Sequence, residues 1–283
     1  MDYFLIQLLS DPRQEFAPLV AVLGALIGPS LGFLALFYPA AGGRVETISC
    51  PGCALQWRPR DVIRLRAVGR CRRCRHRLVA YPWLLCLVSG VVFGGIYREF
   101  GLCLELPLYL YLAGLGVILL VTDVRVRRLP WNLIGPAYLV TLSWLGSLAL
   151  ARALLPGRDL FRPSPYYGMD DLFGIALLCG GAMLLPYLLL FLFRPARVGF
   201  GDVTLAGLLG VVLGWQGLTQ VFTGMFLGPA LAVLLMLGLL LARRVGWRTE
   251  IPYGPFLLAG AWLAMVGEDP LAKLLVEIFG WKW

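Results

Sequence analysis

The chain has 283 residues, of which 59% are hydrophobic and 14% are charged, and its mean hydropathy is +0.79. Soluble globular domains carry about 25% charged residues, and disordered chains are poor in apolar residues. Both classes are therefore excluded, and an all-α polytopic membrane protein is predicted. The net charge of +9 comes almost entirely from 23 Arg, and these charges must lie outside the lipid.

Uncharged runs indicate where the chain crosses the membrane. Seven runs contain no Asp, Glu, Lys or Arg: 16–43, 78–97, 106–122, 129–151, 172–193, 203–242 and 251–267. One crossing needs about 20 apolar residues, and the run 203–242 carries a Gly-Trp-Gln-Gly turn at 214–217. That run predicts a hairpin of two helices, for a total of about eight transmembrane helices. The first 15 residues lack a basic start and a cleavage site, so no removable signal peptide is expected.

The distribution of basic residues predicts the orientation. When loops alternate between the two sides, 18 of the 25 Lys and Arg fall on one side, and ten of these lie in the loop 44–77. The positive-inside rule assigns that side to the cytoplasm, so a multi-pass plasma membrane protein with the loop 44–77 in the cytoplasm is predicted. We expect three parts: an N-terminal segment with the first transmembrane helix (1–43), a cytoplasmic loop domain (44–80) and a multi-helix membrane domain (81–283).

Two CxxC pairs lie in the cytoplasmic loop. Cys50 and Cys53 form the first and Cys71 and Cys74 the second, with 17 residues between them. This is the spacing of a zinc site, and four thiolates complete a closed tetrahedral shell, so a structural metal in a zinc-ribbon-like loop is predicted. Two disulfides or four free thiols are the alternatives, and disulfides are disfavoured in a reducing cytoplasm. His76 fits a solvated loop residue, with a replacement metal ligand as the alternative.

Nine arginines fall between residues 58 and 77. A basic run beside a membrane span is typical of contact with anionic lipid headgroups and of topology control. Membrane lipids are therefore expected as partners, and nucleic acid is not.

Two aspartates at span ends are candidate functional residues. Asp123 ends the third span in the run LLVTDVRVRRLP, and Asp202 opens the sixth in RVGFGDVTLAGLLG. Because the spans alternate, both carboxylates are expected at the same cytoplasmic face. Two nearby carboxylates share a proton, so that one can activate water while the other polarises a peptide carbonyl. Gly199 and Gly201 would permit a close backbone approach or an unusual turn beside Asp202.

Each aspartate also has a structural alternative. Asp202 could be the N-cap of its helix. Asp123 could be an interfacial residue that pairs with Arg125 or Arg127.

Five features together resemble the bacterial type IV prepilin peptidases, which are GxGD-type intramembrane aspartic proteases. Asp123 is followed by Leu129-Pro130, and the family's GxGDxKLxxxxGxxxG segment reads GFGDVTLAGLLGVVLG here. An IPFGPFL-like segment appears as IPYGPFLLAG, the loop carries paired CxxC turns, and Gly-Arg and Tyr-Pro flank the second turn. The resemblance covers most of the chain.

The resemblance implies an activity, a substrate class and site residues. The family cleaves a basic leader from type IV prepilins and type II secretion pseudopilins at the cytoplasmic face, with the positions of Asp123 and Asp202 as the catalytic pair. Many members then methylate the new N-terminus with S-adenosylmethionine. This chain departs from the family mainly in the loop, where Trp57 to Val62 replace an Asn-Ile-Pro-Val-like segment, and Thr204 replaces a lysine after GxGD. We therefore expect weak or absent methylation.

Two other functional classes remain as alternatives. The aspartates could be proton or cation sites of a transporter, although such sites usually lie near the membrane midplane. The chain could also be a non-enzymatic scaffold for pilus or secretion assembly that docks partners through its cysteine loop.

Overall fold

The computed structural model describes residues 12–38, 47–59, 70–71, 73–79, 81–127, 129–154, 172–193, 199–244 and 252–267. The helices are α1 (Pro12–Ala35), α2 (Pro82–Phe100), α3 (Leu106–Val126), α4 (Trp131–Leu154), α5 (Leu172–Phe193), α6 (Phe200–Gln216), α7 (Leu218–Leu241) and α8 (Gly254–Val266), and two short strands are β1 (Ile48–Ser49) and β2 (Gln56–Trp57). The chain divides into two compact units, Met1–Val126 and Arg127–Trp283.

The predicted all-α membrane fold is confirmed. Six of the described helices (α1 to α5 and α7) are long and apolar enough to cross a membrane. The other two, α6 and α8, are apolar but have 17 and 13 residues. The run 203–242 divides at Gly217 into α6 and α7, which is the hairpin predicted from the sequence.

In the first unit, α1 packs against α2 through a row of glycines. Gly24, Gly28 and Gly32 recur every four residues and therefore lie on one face of α1. A Cβ atom at Gly28 would lie 2.5 Å from the carbonyl oxygen of Leu85 and 2.7 Å from the Oγ of Ser89. Lipid supplies no hydrophobic force between helices, so this close backbone contact is what holds the pair together.

In the second unit, α6 is the central helix. It buries 12 of its 17 residues, whereas α7 buries four of 24. A Cβ atom at Gly210 would lie 2.8 Å from the carbonyl oxygen of Cys179 on α5, and one at Gly214 would lie 2.5 Å from the Cβ of the same cysteine. Helices α7 and α8 meet where a Cβ at Gly260 would lie 2.5 Å from the backbone nitrogen of Gly228. Glycine contacts therefore hold this unit together as well.

A tyrosine hydroxyl joins α4 to α6. The Tyr138 hydroxyl donates a hydrogen bond to the carbonyl oxygen of Thr204, at 2.7 Å. A Cβ atom at Gly207 would collide with the same hydroxyl, so the phenol fits because position 207 has no side chain. The hydrogen bond satisfies a polar atom that would be costly to leave unpaired in an apolar interior.

A single methyl group at a helix contact tests this packing. Gly28→Ala places a Cβ against backbone, and we expect the free energy of unfolding to fall by about 1–3 kcal/mol, as for other overpacked sites. Gly174→Ala on α5 is the matched control, because a Cβ there meets nothing within 4 Å. Thermal unfolding in detergent micelles measures both variants. Equal stability of the two would contradict the assigned role of the glycine row.

Candidate active site and cysteine cluster

Each CxxC pair lies in a tight turn that is closed by the same hydrogen bond. The Ala54 N–H donates to the carbonyl of Cys50 at 2.9 Å, and the Arg75 N–H donates to the carbonyl of Cys71 at 3.0 Å. Ala54 and Arg75 both have a positive φ, of 56° and 57°. The antiparallel strands β1 and β2 flank the first turn. The two turns therefore have matching backbone geometry.

The four sulfur atoms of these turns come together. The Sγ atoms of Cys50 and Cys74 are 3.5 Å apart, those of Cys53 and Cys71 are 3.6 Å apart, and all four lie within 4.8 Å of one another. A tetrahedral metal with bonds of about 2.3 Å to sulfur needs sulfur atoms about 3.8 Å apart. All four cysteines are free thiols rather than disulfides. The predicted four-cysteine group that could hold a metal ion is thus present, and the exposed His76 is not part of it.

The thiols of the cluster differ in proton affinity. Burial acts to raise the pKa of Cys71, but backbone N–H groups of the turn and the thiols of Cys53 and Cys50 outweigh it and lower that pKa to about 6. At Cys74 the N–H of His76 acts to lower the pKa, but burial and the other three thiols raise it to about 12. A metal must therefore displace protons when it binds, and its affinity falls as the pH is lowered.

An aromatic core fixes the cluster to the first unit. The ring of Phe33 on α1 packs edge-on against Trp57 of β2, with centroids 5.8 Å apart, and against Phe37 at 5.3 Å. Cys50 and Cys71 are buried in the same core. The cysteine turns are therefore part of the core of this unit rather than an independent appendage.

Asp123 lies inside a helix. Helix α3 continues to Val126, whereas the uncharged run suggested that the span ends at the aspartate. Asp123 is buried, with 4% of its surface exposed, while Arg125 and Arg127 are exposed. A buried carboxylate in an apolar membrane helix is costly to maintain, which makes it a candidate functional group.

Asp202 lies in the first turn of α6. Gly199 is the N-cap, and its N–H donates to the Oδ2 atom of Asp202 at 3.2 Å. Asp202 is therefore not the N-cap itself. From the third position of the helix it makes one half of a capping box, because glycine has no side chain to form the other half. One carboxylate oxygen of Asp202 therefore stabilises the start of the helix, as the capping alternative expected. The carboxylate has further lone pairs that can accept other hydrogen bonds.

The two glycines of the GxGD segment have different environments. Gly199 has φ −76° and ψ 143°, an ordinary extended conformation. Gly201 makes the close approach, because a Cβ there would lie 2.5 Å from the Cβ of Leu129 and 2.8 Å from its carbonyl oxygen. Two segments distant in sequence, the Leu129-Pro130 pair and the GxGD turn, therefore lie against each other in the second unit.

A pair of tyrosines lies near Asp202. The hydroxyls of Tyr187 on α5 and Tyr253, just before α8, are 2.9 Å apart and hydrogen-bonded. Burial, the hydrogen bond with Tyr187 and the charge of Asp202 raise the pKa of the Tyr253 phenol. The sequence analysis missed Tyr187, which belongs to no motif, although a hydroxyl in the run MLLPYLLLFLF is a detectable signal because it requires a polar partner.

The structure brings some of the predicted residues together and leaves one pairing open. The four cysteines meet in the first unit, and Gly199, Gly201 and Asp202 meet in the second. Asp123 belongs to the first unit and Asp202 to the second, so that their pairing stays a prediction.

Comparisons with known proteins identify relatives over most of the chain. No family model matches the chain, and no solved structure matches it. Three relatives, each named prepilin leader peptidase/N-methyltransferase, come from Bacillus subtilis, Myxococcus xanthus and Burkholderia pseudomallei. The first is 26% identical over 87% of this chain and 94% of its own length, the second 32% over 83% and 67%, and the third 30% over 82% and 70%. With this identity and coverage, the chain belongs to the prepilin leader peptidase/N-methyltransferase family.

Proposed function

We propose that this chain is an aspartic endopeptidase of the bacterial inner membrane that cleaves the basic leader from type IV prepilins or type II secretion pseudopilins. Its relatives are named prepilin leader peptidases, and six long apolar helices support a location in the membrane. The mechanism rests on the burial of Asp123, a carboxylate with 4% exposure inside an apolar helix. Such residues mark functional sites by default.

Asp123 and Asp202 form the catalytic pair in this proposal. One carboxylate removes a proton from a water molecule, and the resulting hydroxide attacks the carbonyl carbon of the scissile peptide bond. The other carboxyl group carries the shared proton and donates a hydrogen bond to the carbonyl oxygen. Collapse of the tetrahedral intermediate breaks the carbon–nitrogen bond, and a carboxyl group returns a proton to the leaving amine.

The helix ends suggest which aspartate takes which role. The positive end of the α6 dipole and the N–H of Gly199 both stabilise negative charge on Asp202, which suits it to remove the proton from water. Asp123 lies in the last turn of α3, where the helix dipole does not favour negative charge. That position suits Asp123 to carry the shared proton.

The cytoplasmic face is the proposed side of cleavage. Eighteen of the 25 basic residues lie on the side that holds the cysteine loop, and the alternation of spans assigns the end of α3 and the start of α6 to that side. The arginines of the loop would contact the anionic headgroups of that leaflet.

Methyl transfer is not included in the proposal, although it forms part of the relatives' names. The departures of this chain from the family lie mainly in the loop. Trp57, one of the departing residues, is 3% exposed and serves the aromatic core that carries the cysteines. Trp57 therefore has a structural role, and the expectation of weak or absent methylation rests on the departures in sequence.

Zinc is the metal that we propose for Cys50, Cys53, Cys71 and Cys74. Four thiolates at this spacing form a closed tetrahedral shell without a position for substrate, so the metal is structural. It would tie the two turns to each other and to the core formed with Phe33 and Trp57.

Replacement of either aspartate tests the catalytic pair. We expect Asp123→Asn and Asp202→Asn each to reduce cleavage of a co-expressed prepilin by about 10²- to 10⁴-fold, because each removes a general acid or base. Asparagine is preferred to alanine at position 202 because its oxygen can still accept the Gly199 N–H and preserve the helix cap. A gel shift and mass spectrometry of the mature pilin measure the result.

Glu105→Gln is the matched control for these variants. Glu105 is a buried carboxylate, with 5% of its surface exposed. It directly precedes the first residue of α3, whereas Asp123 lies in the last turn of that helix. We expect it to cleave at the wild-type rate. Wild-type cleavage by both aspartate variants would contradict the proposal and favour the transporter and scaffold hypotheses. If Glu105→Gln lost cleavage to the same extent, the loss would follow from replacing any buried carboxylate and would not identify Asp123 and Asp202 as catalytic.

The metal site is tested by elemental analysis of the purified protein. We expect about one zinc per chain in the wild type, and Cys53→Ser should lose the metal and unfold at a lower temperature, because one thiolate ligand is missing. Cys86→Ser is the control, since Cys86 lies on α2 outside the cluster. Zinc should also dissociate as the pH falls and the thiolates gain protons. Absence of zinc from the wild type, or its full retention in Cys53→Ser, would refute the site.

A further inference from the structure

Two phenols form a hydrogen-bonded pair in the interior of the second unit. The hydroxyl oxygens of Tyr187 and Tyr253 are 2.9 Å apart, and the ring centroids are 5.9 Å apart at an angle of 45°. Tyr187 is 6% exposed, and Tyr253 is half-buried. The two residues come from different elements, α5 and the segment before α8, and both elements are neighbours of α6. The pair therefore joins the two neighbours of the helix that begins with the GxGD segment.

The packing register of α5 against α6 places Tyr187 beside the first turn of α6. Gly214 meets Cys179 near the middle of α5, and Gly207 meets Leu184 closer to the end of α5. The two helices therefore run antiparallel, and the start of α6 packs against the end of α5. Tyr187 lies three residues beyond Leu184, which brings it level with the first turn of α6.

The hydrogen-bond capacity of the pair exceeds its internal bond. Two hydroxyls carry two hydrogens, and the bond between Tyr187 and Tyr253 uses one of them. The second hydrogen needs an acceptor, because a hydroxyl that is buried in the protein is costly to leave unpaired. The carboxylate of Asp202 is the strongest type of acceptor in a protein, and it lies in the first turn of α6, at the level of Tyr187.

We propose that Tyr187 and Tyr253 are a positioning pair for Asp202, which present a phenolic O–H to its carboxylate and fix its orientation for the attack of water. This inference rests on the proposed aspartic mechanism. The Gly199 N–H holds one oxygen of Asp202 through the backbone, and the phenol pair supplies a side-chain donor. A carboxylate held by donors from separate elements keeps its direction when the substrate binds.

The test removes each hydroxyl and keeps each ring. Tyr187→Phe and Tyr253→Phe break the same hydrogen bond, and we expect each to lower kcat for prepilin cleavage by about 10- to 100-fold, as for other residues that orient a catalytic group. KM should stay within about twofold, because substrate contacts are unchanged. The double variant should be no slower than the slower single variant, since the pair acts as one unit. Either single variant carries the test if the other fails to fold.

Tyr138→Phe is the matched control. It also removes a phenolic hydroxyl that hydrogen-bonds to α6, but its acceptor is the backbone carbonyl of Thr204. We expect a lower unfolding temperature and a kcat within about threefold of wild type, since a net loss of one hydrogen bond is about 1 kcal/mol of stability. An equal loss of kcat in Tyr138→Phe would overturn the proposal, because it would show that Tyr187 and Tyr253 affect kcat only through the packing of the unit.

Asp202→Asn in the same panel separates the two proposals. Wild-type kcat in both phenylalanine variants, together with an inactive Asp202→Asn, would overturn the positioning role and leave the aspartic mechanism intact. A raised KM with unchanged kcat would also overturn it, because it would assign the pair to substrate binding. Wild-type cleavage by Asp202→Asn would refute the mechanism on which the positioning role depends.

Discussion

Close approach of helix backbones at glycine faces is the interaction on which both units depend. In water, a hydrophobic stripe drives helices together, but lipid is as apolar as leucine and offers no such force. The chain instead relies on contact so close that a single added Cβ collides with the neighbouring backbone, as at Gly28 on α1 or Gly210 on α6. Packing at this distance also fixes the axial register of each pair, because each glycine lies opposite particular backbone atoms of its neighbour, such as the Leu85 carbonyl oxygen at Gly28.

The fixed register has a chemical consequence in the second unit. With α5 and α6 locked together, a phenol near the end of α5 is held level with the carboxylate in the first turn of α6. Polar groups in a membrane interior must find partners within the protein, so a hydroxyl or a carboxylate placed there constrains its surroundings. Packing and polar satisfaction thus select the same arrangement around Asp202.

The sequence predicted those features that depend on local chemistry. Lack of charge located the helices, and the division of 203–242 into α6 and α7 followed from a Gly-rich turn. The four cysteines met because ligand spacing is a local property of two tight turns. Which sulfur faces which across the cluster, Cys50 with Cys74 and Cys53 with Cys71, is set by the packing of the turns and could not be read from spacing.

Other features depend on contacts between distant segments and could not be predicted. The uncharged run before Asp123 gave the composition of a span but not the end of its helix, since α3 keeps its hydrogen bonds through a charged turn. The hydroxyl of Tyr187 in an apolar run indicates that it needs a polar partner, but only the structure shows that the partner is Tyr253 on another element. The contact between Leu129 and Gly201 shows that the Leu-Pro motif and the GxGD motif pack against each other, which the sequence alone could not show.

Asp202 shows that a structural and a catalytic interpretation of one residue can support each other. From the third position of the helix, its carboxylate accepts the N–H of the N-cap residue Gly199, a bond that is strongest when the carboxylate is ionised. The positive end of the α6 dipole favours the same ionised form. A base that removes a proton from water must also be ionised. The helix terminus therefore holds Asp202 in the charge state and position that the proposed reaction requires, so evidence for the cap strengthens the catalytic assignment instead of competing with it.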